Sequence, residues 1–387
     1  MMTNWEVKRL GEICEIANER NNRKDVPYVG MEDIESNTAN FLGSTEPRNV
    51  KSATFYFTAE HILYGRLRPY LNKVLLPNFD GHCSTEIFPI KVNKSLKKKY
   101  LFYWITSDEI VQKINGTCTG ARMPRANMKE VFNFAIPLPP LPEQNSIVAI
   151  LDEAFAAIAT AKENAEKNLQ NARELFESYL QSVFANTGDG WEVRKLGVLG
   201  VITSSKRIFK SEYVKTGVPF YRTKEIKELA HGKEISLELF ISQDRYNEIK
   251  NKFGIPISGD ILLSAVGTIG EMYVVQKGDE FYFKDGNIVW LKDFNSVDTY
   301  YLKYALTSFV EQIKKLSIGS AYNALTIEKL NDYSVPIATL PEQRAIVSKL
   351  DALSAETKKL EEIYQQKLND LDELKKSVLQ KAFKGDL

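Results

Sequence analysis

The sequence predicts an α+β molecule. Two homologous domains are separated by two long helices that pair as an intramolecular antiparallel coiled coil, giving a pseudo-two-fold symmetric whole. Three observations predict it. The 387-residue chain repeats itself: Trp5-Glu6-Val7-Lys8-Arg9-Leu10-Gly11 returns as Trp191-Glu192-Val193-Arg194-Lys195-Leu196-Gly197, and Leu141-Pro142-Glu143-Gln144 as Leu340-Pro341-Glu342-Gln343. A duplication of that size implies internal two-fold symmetry. Each Leu-Pro-Glu-Gln opens a long helical pattern; Glu143 to Phe184 contains neither Pro nor Gly and would span about 63 Å unbroken. Finally, equivalent residues lie 186 positions apart at Trp5/Trp191, 192 at Pro27/Pro219, 199 at Ile62/Ile261 and 201 at Tyr100/Tyr301. From Leu141/Leu340 to Leu180/Leu379 the separation holds at 199. Globular loops absorb insertions, whereas a coiled-coil register does not.

These signals divide the chain into a first globular domain (1–142), a first helical spacer (143–186), a second globular domain (187–341) and a second spacer (342–387). In the first domain, strands are predicted around Ile62–Tyr64, Val74–Leu76 and Glu86–Ile90, and one helix near Lys98–Ile114. The second repeats them at Gly259–Ser264, Met272–Val275 and Asn287–Leu291, with turns at Gly267/Gly270 and Lys277-Gly278-Asp279, then a helix over Thr299–Lys315. Trp5 and Trp191 read as core anchors at each domain's start. Pro in the first helical turn and Glu beside the helix dipole account for Leu-Pro-Glu-Gln.

Along the first spacer a 4-3 stripe runs Ile147, Leu151, Ala154, Ile158, Ala161, Ala165, Asn168, Ala172, Leu175, Tyr179. Its counterpart runs Ile346, Leu350, Leu353, Thr357, Leu360, Tyr364, Lys367, Leu371, Leu374, Val378. The first is alanine-rich where the second is large, which suits close interdigitation.

Bulk properties narrow the function classes. Hydrophobic content of 43% and charged content of 26% are those of a globular protein. Net charge is +1, so nucleic-acid binding would need a local basic face. Three cysteines and three histidines without C-x-x-C pairing argue against a disulfide framework or a Cys/His zinc site, and point to reduced thiols in the cytoplasm. No leader and no run of 18 apolar residues is present, so secretion and membrane spanning are not expected. No phosphate loop, dinucleotide fingerprint, nucleophile elbow or zinc-protease motif occurs. Neither does the Asn/Asp-Pro-Pro-aromatic stretch with which amino-methyltransferases hold a flipped base. Asp260 and Asp285 read as turn residues. The joint absence favours a binding module over an enzyme.

The binding candidates are interleaved cations, amides and aromatics. Arg66, Arg68, Asn72 and Lys73 lie between two predicted strands, and Arg122, Arg125 and Asn127 follow Gly116 and Gly120. Arg reads guanine and Asn adenine bidentately, while Lys more often meets phosphate. The second-domain counterparts, Ser264 to Gly270 and Gly319 to Thr326, are far less basic and offer Ser264, Thr268, Tyr322 and Asn323. Tyr28, Arg222, Lys224 and Lys284 complete the set. Two unlike domains of this kind suit a target with two different half-sites.

At this point the chain resembles the specificity (S) subunit of type I restriction–modification systems. The resemblance rests on Trp-Glu-Val-x-x-Leu-Gly, Val26-Pro27-Tyr28 and Val218-Pro219-Phe220, Gly259-Asp260-Ile261-Leu262, Gly319-Ser320-Ala321, and Ile136 to Gln144 followed by Ile147-Val148-x-x-Leu151-Asp152. It covers essentially the whole chain. It implies two target-recognition domains, each reading half of a bipartite asymmetric site in double-stranded DNA. The helices then set the unspecific gap and dock two methyltransferase (M) subunits. No cofactor is expected on this chain: S-adenosylmethionine belongs to the M subunits, and ATP and Mg to a restriction (R) subunit where one exists. The alternative is the specificity subunit of a methylation-only or type II-like complex. Val335 to Leu340 lacks the Pro139-Pro140 pair of the first half, from which only a local change in helix approach is expected.

Overall fold

The computed structural model describes residues 5–20, 25–120, 122–186, 188, 190–316 and 325–387, with backbone alone at 313–316. It forms two compact units. Residues 1–167 and 364–387 make the first, and residues 168–363 the second. Both boundaries fall inside the long helices, so each unit contains one globular domain and parts of both rods.

Unit 1 begins with β1 (Glu6–Arg9), α1 (Leu10–Ile13), β2 (Cys14–Ile16), β3 (Tyr28–Val29), β4 (Thr54–Phe57), β5 (Ile62–Gly65), β6 (Val74–Leu75), β7 (Gly81–Ser84) and β8 (Ile87–Val92). It continues with α2 (Lys98–Ile105), α3 (Asp108–Gly116), α4 (Met128–Val131), β9 (Ala135–Leu138) and the long helix α5 (Leu141–Ala185). Its central sheet has the order β2-β8-β5-β6, beside a three-stranded sheet β3-β7-β4 and the pair β1-β9. The strand pattern is apolar at its centre: Ile62, Leu63 and Tyr64 are all buried, because this strand is covered on both faces. The single helix predicted over Lys98–Ile114 is two. Thr106 Oγ1 donates to the Phe102 carbonyl and Ser107 Oγ to that of Trp104, and such side-chain bonds compete with the helical ladder.

Unit 2 repeats the plan. It contains β10 (Glu192–Lys195), α6 (Leu196–Leu199), β11 (Val201–Thr203), β12 (Tyr213–Val214), β13 (Val218–Tyr221), α7 (Thr223–Ala230), β14 (Phe240–Ile241), α8 (Gln243–Phe253), β15 (Ile261–Ser264), β16 (Met272–Val274), β17 (Tyr282–Phe283) and β18 (Ile288–Lys292). It ends with α9 (Thr299–Leu316), α10 (Ile327–Asp332), β19 (Ser334–Ile337) and α11 (Leu340–Lys384). The sheets are β11-β18-β15-β16, β12-β14-β13-β17 and β10-β19. The sequence predicts no secondary structure between Val218 and Gly259, where α7 and α8 lie. Among the described residues no helix is long and apolar enough to cross a membrane.

The long helices pair antiparallel. In unit 1 the Lys375 ammonium lies over the Phe155 ring and Lys162 pairs with Asp372, so the partner index falls as the first rises. In unit 2 Arg173 Nε meets Glu361 Oε2 at 3.0 Å. Leu151, Ile158, Ala165 and Ala172 are buried at strict seven-residue spacing. The predicted stripe needs correction at Leu175, Leu360 and Leu374, which are 52%, 37% and 49% exposed. Beyond Ala172 the buried face is set by the globular core, which takes Phe176, Leu180 and Phe184 of α5 with Ile346 and Leu350 of α11. Unit 1 likewise takes Ile147 and Leu151 of α5 with Leu379 and Ala382 of α11. The helices therefore both pair and pack on domains.

Candidate nucleic-acid interface

Two basic loops far apart in sequence meet beyond the end of β5. The Arg66 N–H donates to the Glu86 carbonyl at 2.9 Å, the Ala126 N–H to the Arg66 carbonyl at 2.9 Å, and the Arg68 N–H to that of Pro124 at 2.7 Å. Between them Leu67 pairs with Arg125. The backbone thus places Arg66, Arg68 and Arg125 on one three-segment frame.

Glu86 organises that frame. Arg125 Nη2 donates to Glu86 Oε1 at 2.7 Å and its Nε reaches both oxygens at 3.0 and 3.1 Å. Arg66 Nε donates to Glu86 Oε2 at 3.1 Å, and its guanidinium lies over the Phe88 ring at 4.9 Å. The Arg125 hydrogen bond holds the Glu86 carboxyl below the usual carboxylate range, with Arg66 adding its charge. Charge-assisted forks of this kind are the strong hydrogen bonds of proteins.

The neighbouring candidates are held from the same region. Arg68 (φ 51°) and Asn72 (φ 46°) are left-handed, each at a cost on the order of 1 kcal/mol. Asn72 Nδ2 donates to the Thr106 carbonyl at 3.0 Å, which secures the turn against α2. Lys73 Nζ donates inward to the Met31 carbonyl at 2.7 Å. Tyr28 is half-buried, tilted on His82 and covered by the Arg48 guanidinium. Arg122 is exposed, and Asn127 Nδ2 donates to Glu130.

Unit 2 keeps the frame and changes the side chains. The Ala265 N–H donates to the Asn287 carbonyl at 2.8 Å and the Leu325 N–H to the Ala265 carbonyl at 3.2 Å. Ala265 and Asn287 thus stand where unit 1 has Arg66 and Glu86. Ser264 is fully buried: its hydroxyl donates to the Thr268 carbonyl and accepts from the Glu271 N–H. As a binding candidate Ser264 is corrected, because closing the turn consumes its hydroxyl. Thr268 is exposed on that turn. Tyr322 and Asn323 lie outside the described residues.

The second-domain cations gather elsewhere, where β13 runs into α7. Arg222 Nη2 donates to Glu225 at 2.6 Å and to Glu238 at 2.7 Å, and Lys224 Nζ to Glu238 at 2.8 Å. Lys224 and Arg222 together bring the Glu238 carboxyl down to about 2. The Lys284 N–H donates to the Tyr221 carbonyl at 2.8 Å, which sets exposed Lys284 beside this cluster. The sequence reading missed Glu86, Phe88, Glu225 and Glu238. A carboxylate in a strand-rich segment carries no signal until folding brings arginines to it.

Other groups occupy structural posts. Asp260 accepts from the Ile257 N–H and the Trp290 indole, closing a turn as expected. Cys14 and Cys83 lie in the cores, and burial pushes the Cys14 thiol up to about 12. No group of His, Cys, Asp and Glu fit to hold a metal ion occurs among the described residues.

Comparisons with known proteins agree with this geometry. The profile of the "Type I restriction modification DNA specificity domain" matches residues 2–169 and again 188–369. The EcoDI specificity subunit of Escherichia coli is 30% identical over 186 residues, 47% of this chain and 41% of the relative. The MjaVIII specificity subunit of Methanocaldococcus jannaschii is 26% identical over 418 aligned positions, 99% of this chain and 93% of the relative. A solved chain from work on assembly and conformational transition of the type I R-M system superposes with a TM-score of 0.84 at 24% identity, covering 100% of both chains. The HsdS subunit of Thermoanaerobacter tengcongensis gives 0.68 at 24% identity, over 99% of this chain and 97% of that one. At those identities the structural likeness is one of fold, while the doubled profile match spans most of the sequence, and the chain therefore belongs to the type I restriction–modification DNA specificity family.

Proposed function

We propose that this chain is the DNA-reading subunit of a type I restriction–modification complex, with each globular domain reading one half of a bipartite, asymmetric site. The observation that carries this reading is one backbone frame bearing different side chains: Arg66 and Glu86 in the first domain, Ala265 and Asn287 in the second. Equal frames fit equal duplex geometry, and unequal side chains read unequal bases. In this reading the paired helices set the gap between half-sites, which makes the second contact intramolecular at high effective concentration.

The partners are two methyltransferase subunits, which supply S-adenosylmethionine and methylate adenine. Where a restriction subunit joins, it supplies ATP and Mg chemistry. In this reading the docked subunits cover Ile150, Leu175, Leu360, Ile363 and Leu374, which the rods expose. Near-neutral charge fits a subunit that shares phosphate contacts with its partners.

Mapping of methylated adenines in a methylation-free host expressing this chain with its methyltransferase partner tests the proposal. A two-part motif with a fixed gap is expected. Methylation without sequence preference, or of a single continuous motif, sinks it.

A further inference from the structure

We propose that Glu86 is a positioning residue for sequence readout, and that it presents Arg66 as the guanine reader of the first domain while Arg125 serves as a buttress. The proposal rests on the reading of this chain as a DNA-recognition subunit and deepens it.

The two arginines share one carboxylate but use it differently. Arg125 gives Glu86 its Nε and Nη2, the edge with which a guanidinium makes a forked contact, and its Nη1 donates to the Met123 carbonyl at 3.2 Å. All three nitrogens are therefore engaged within the protein. Arg66 gives Glu86 only Nε, and no described residue bonds its Nη1 or Nη2. Those two nitrogens form the other edge of the fork, spaced to donate to the O6 and N7 of a guanine in the major groove.

The Arg66 guanidinium is held at one face and one edge. Phe88 supports its face at 4.9 Å, the Glu86 carboxylate fixes the Nε edge, and the main chain is tied at N–H and C=O to Glu86 and Ala126. A long side chain normally loses rotamer freedom when it binds. Here much of that ordering precedes binding, so more of the bidentate contact appears as discrimination. Ala265 occupies the corresponding place in unit 2, so two of the frame's hydrogen bonds persist under a different side chain. Such a position is suited to set specificity.

The test uses full-length chain assembled with its methyltransferase partner. The wild-type motif is first mapped by adenine methylation, and binding is then measured by competition with duplexes varied at each position. Arg66→Lys is expected to lower the preference for guanine at one position of one half-site by about fivefold or more. Glu86→Gln and Phe88→Leu should relax that same position, and Arg66→Lys with Glu86→Gln should be no worse than Arg66→Lys alone, since Glu86 acts through Arg66. Arg125→Lys, which keeps a cation beside Glu86 but loses the fork, should relax that position less than Arg66→Lys does. Retention of the other half-site reports that the molecule is folded. Unchanged guanine preference in Glu86→Gln and Phe88→Leu overturns the proposal. So does uniform weakening at every base with a shallower salt dependence in Arg66→Ala, which would make Arg66 a phosphate contact. If the wild-type complex shows no sequence preference, the DNA-reading assignment itself falls.

Discussion

Gln144 and Gln343 show how much a single buried amide can organise. Each closes a Leu-Pro-Glu-Gln and each is essentially inaccessible to solvent. Gln144 Oε1 accepts from the Lys97 N–H, and its Nε2 donates to the Ser95 and Pro139 carbonyls. Gln343 accepts from the Asp298 N–H and donates to the Ala338 carbonyl. The start of a rod is thereby clasped to the start of a domain helix. Gln144→Leu leaves a buried donor and two acceptors unpaired and is expected to destabilise unit 1 by about 1–3 kcal/mol, read as a lower denaturant midpoint in that unit's transition. Glu86 supplies a pH signature. Its carboxyl is held below the ordinary 4.5 by Arg125, so its stabilising contribution is complete above that value. It is lost as pH falls from 4.5 towards the lower folded value, where the folded form too takes up the proton. The stability difference between wild type and Glu86→Gln should shrink over that window in denaturant titrations. A difference independent of pH would contradict the ion-pair account.

At the scale of elements, the long helices answer to two kinds of neighbour. Ile158, Ala165 and Ala172 are buried at seven-residue spacing outside the globular cores, while Leu151, Leu180, Phe184, Leu379 and Ala382 belong to those cores. A stripe read as one continuous seam therefore misplaces Leu175, Leu360 and Leu374, because the burying surface changes along the rod. The second Leu-Pro-Glu-Gln starts without the paired prolines, and Thr339 takes their place: its N–H and hydroxyl both donate to Glu342 at 3.0 and 2.8 Å. Leu175 and Ile363, 52% and 50% exposed, belong to the face proposed to meet methyltransferase subunits. The double change Leu175→Asp with Ile363→Asp should weaken assembly by tenfold or more, roughly the loss of 1.4 kcal/mol, without lowering the thermal midpoint of the isolated chain. Unchanged assembly in sedimentation or gel-filtration titrations would place the docking face elsewhere.

For the whole molecule, duplication separates what is held constant from what is varied. Tyr100 and Tyr301 donate to the carbonyls of Pro137 and Pro336, and Tyr103 and Tyr304 to Asp152 and Asp351. In both units alike the first bond ties a domain helix to the strand that precedes the rod and the second ties it to the rod itself, while Arg66/Ala265 and Glu86/Asn287 differ. If the rods set the gap, removing one heptad from each preserves register and shortens them by about 10 Å, roughly three base pairs. Methylation mapping of that variant should show the same half-sites with a shorter gap; an unchanged gap would end the ruler account.

The repeat, the two rods and the central strands of each domain were legible from the sequence, because apolar periodicity and register are local properties of a chain. So were the two basic loops, since Arg66 and Arg125 each stand in a conspicuous run of cations. Their meeting was not legible: about sixty residues separate them, and it takes backbone pairing of residues 66–68 with 124–126 to join them. Nor did Glu86 stand out, because a carboxylate becomes an organiser only when folding sets two guanidinium groups against it. The inward turn of Ser264 and the burial of Gln144 belong to the same class. Hydrogen-bond partners distant in sequence are chosen by tertiary packing, and that choice decides which polar side chains remain available to a ligand.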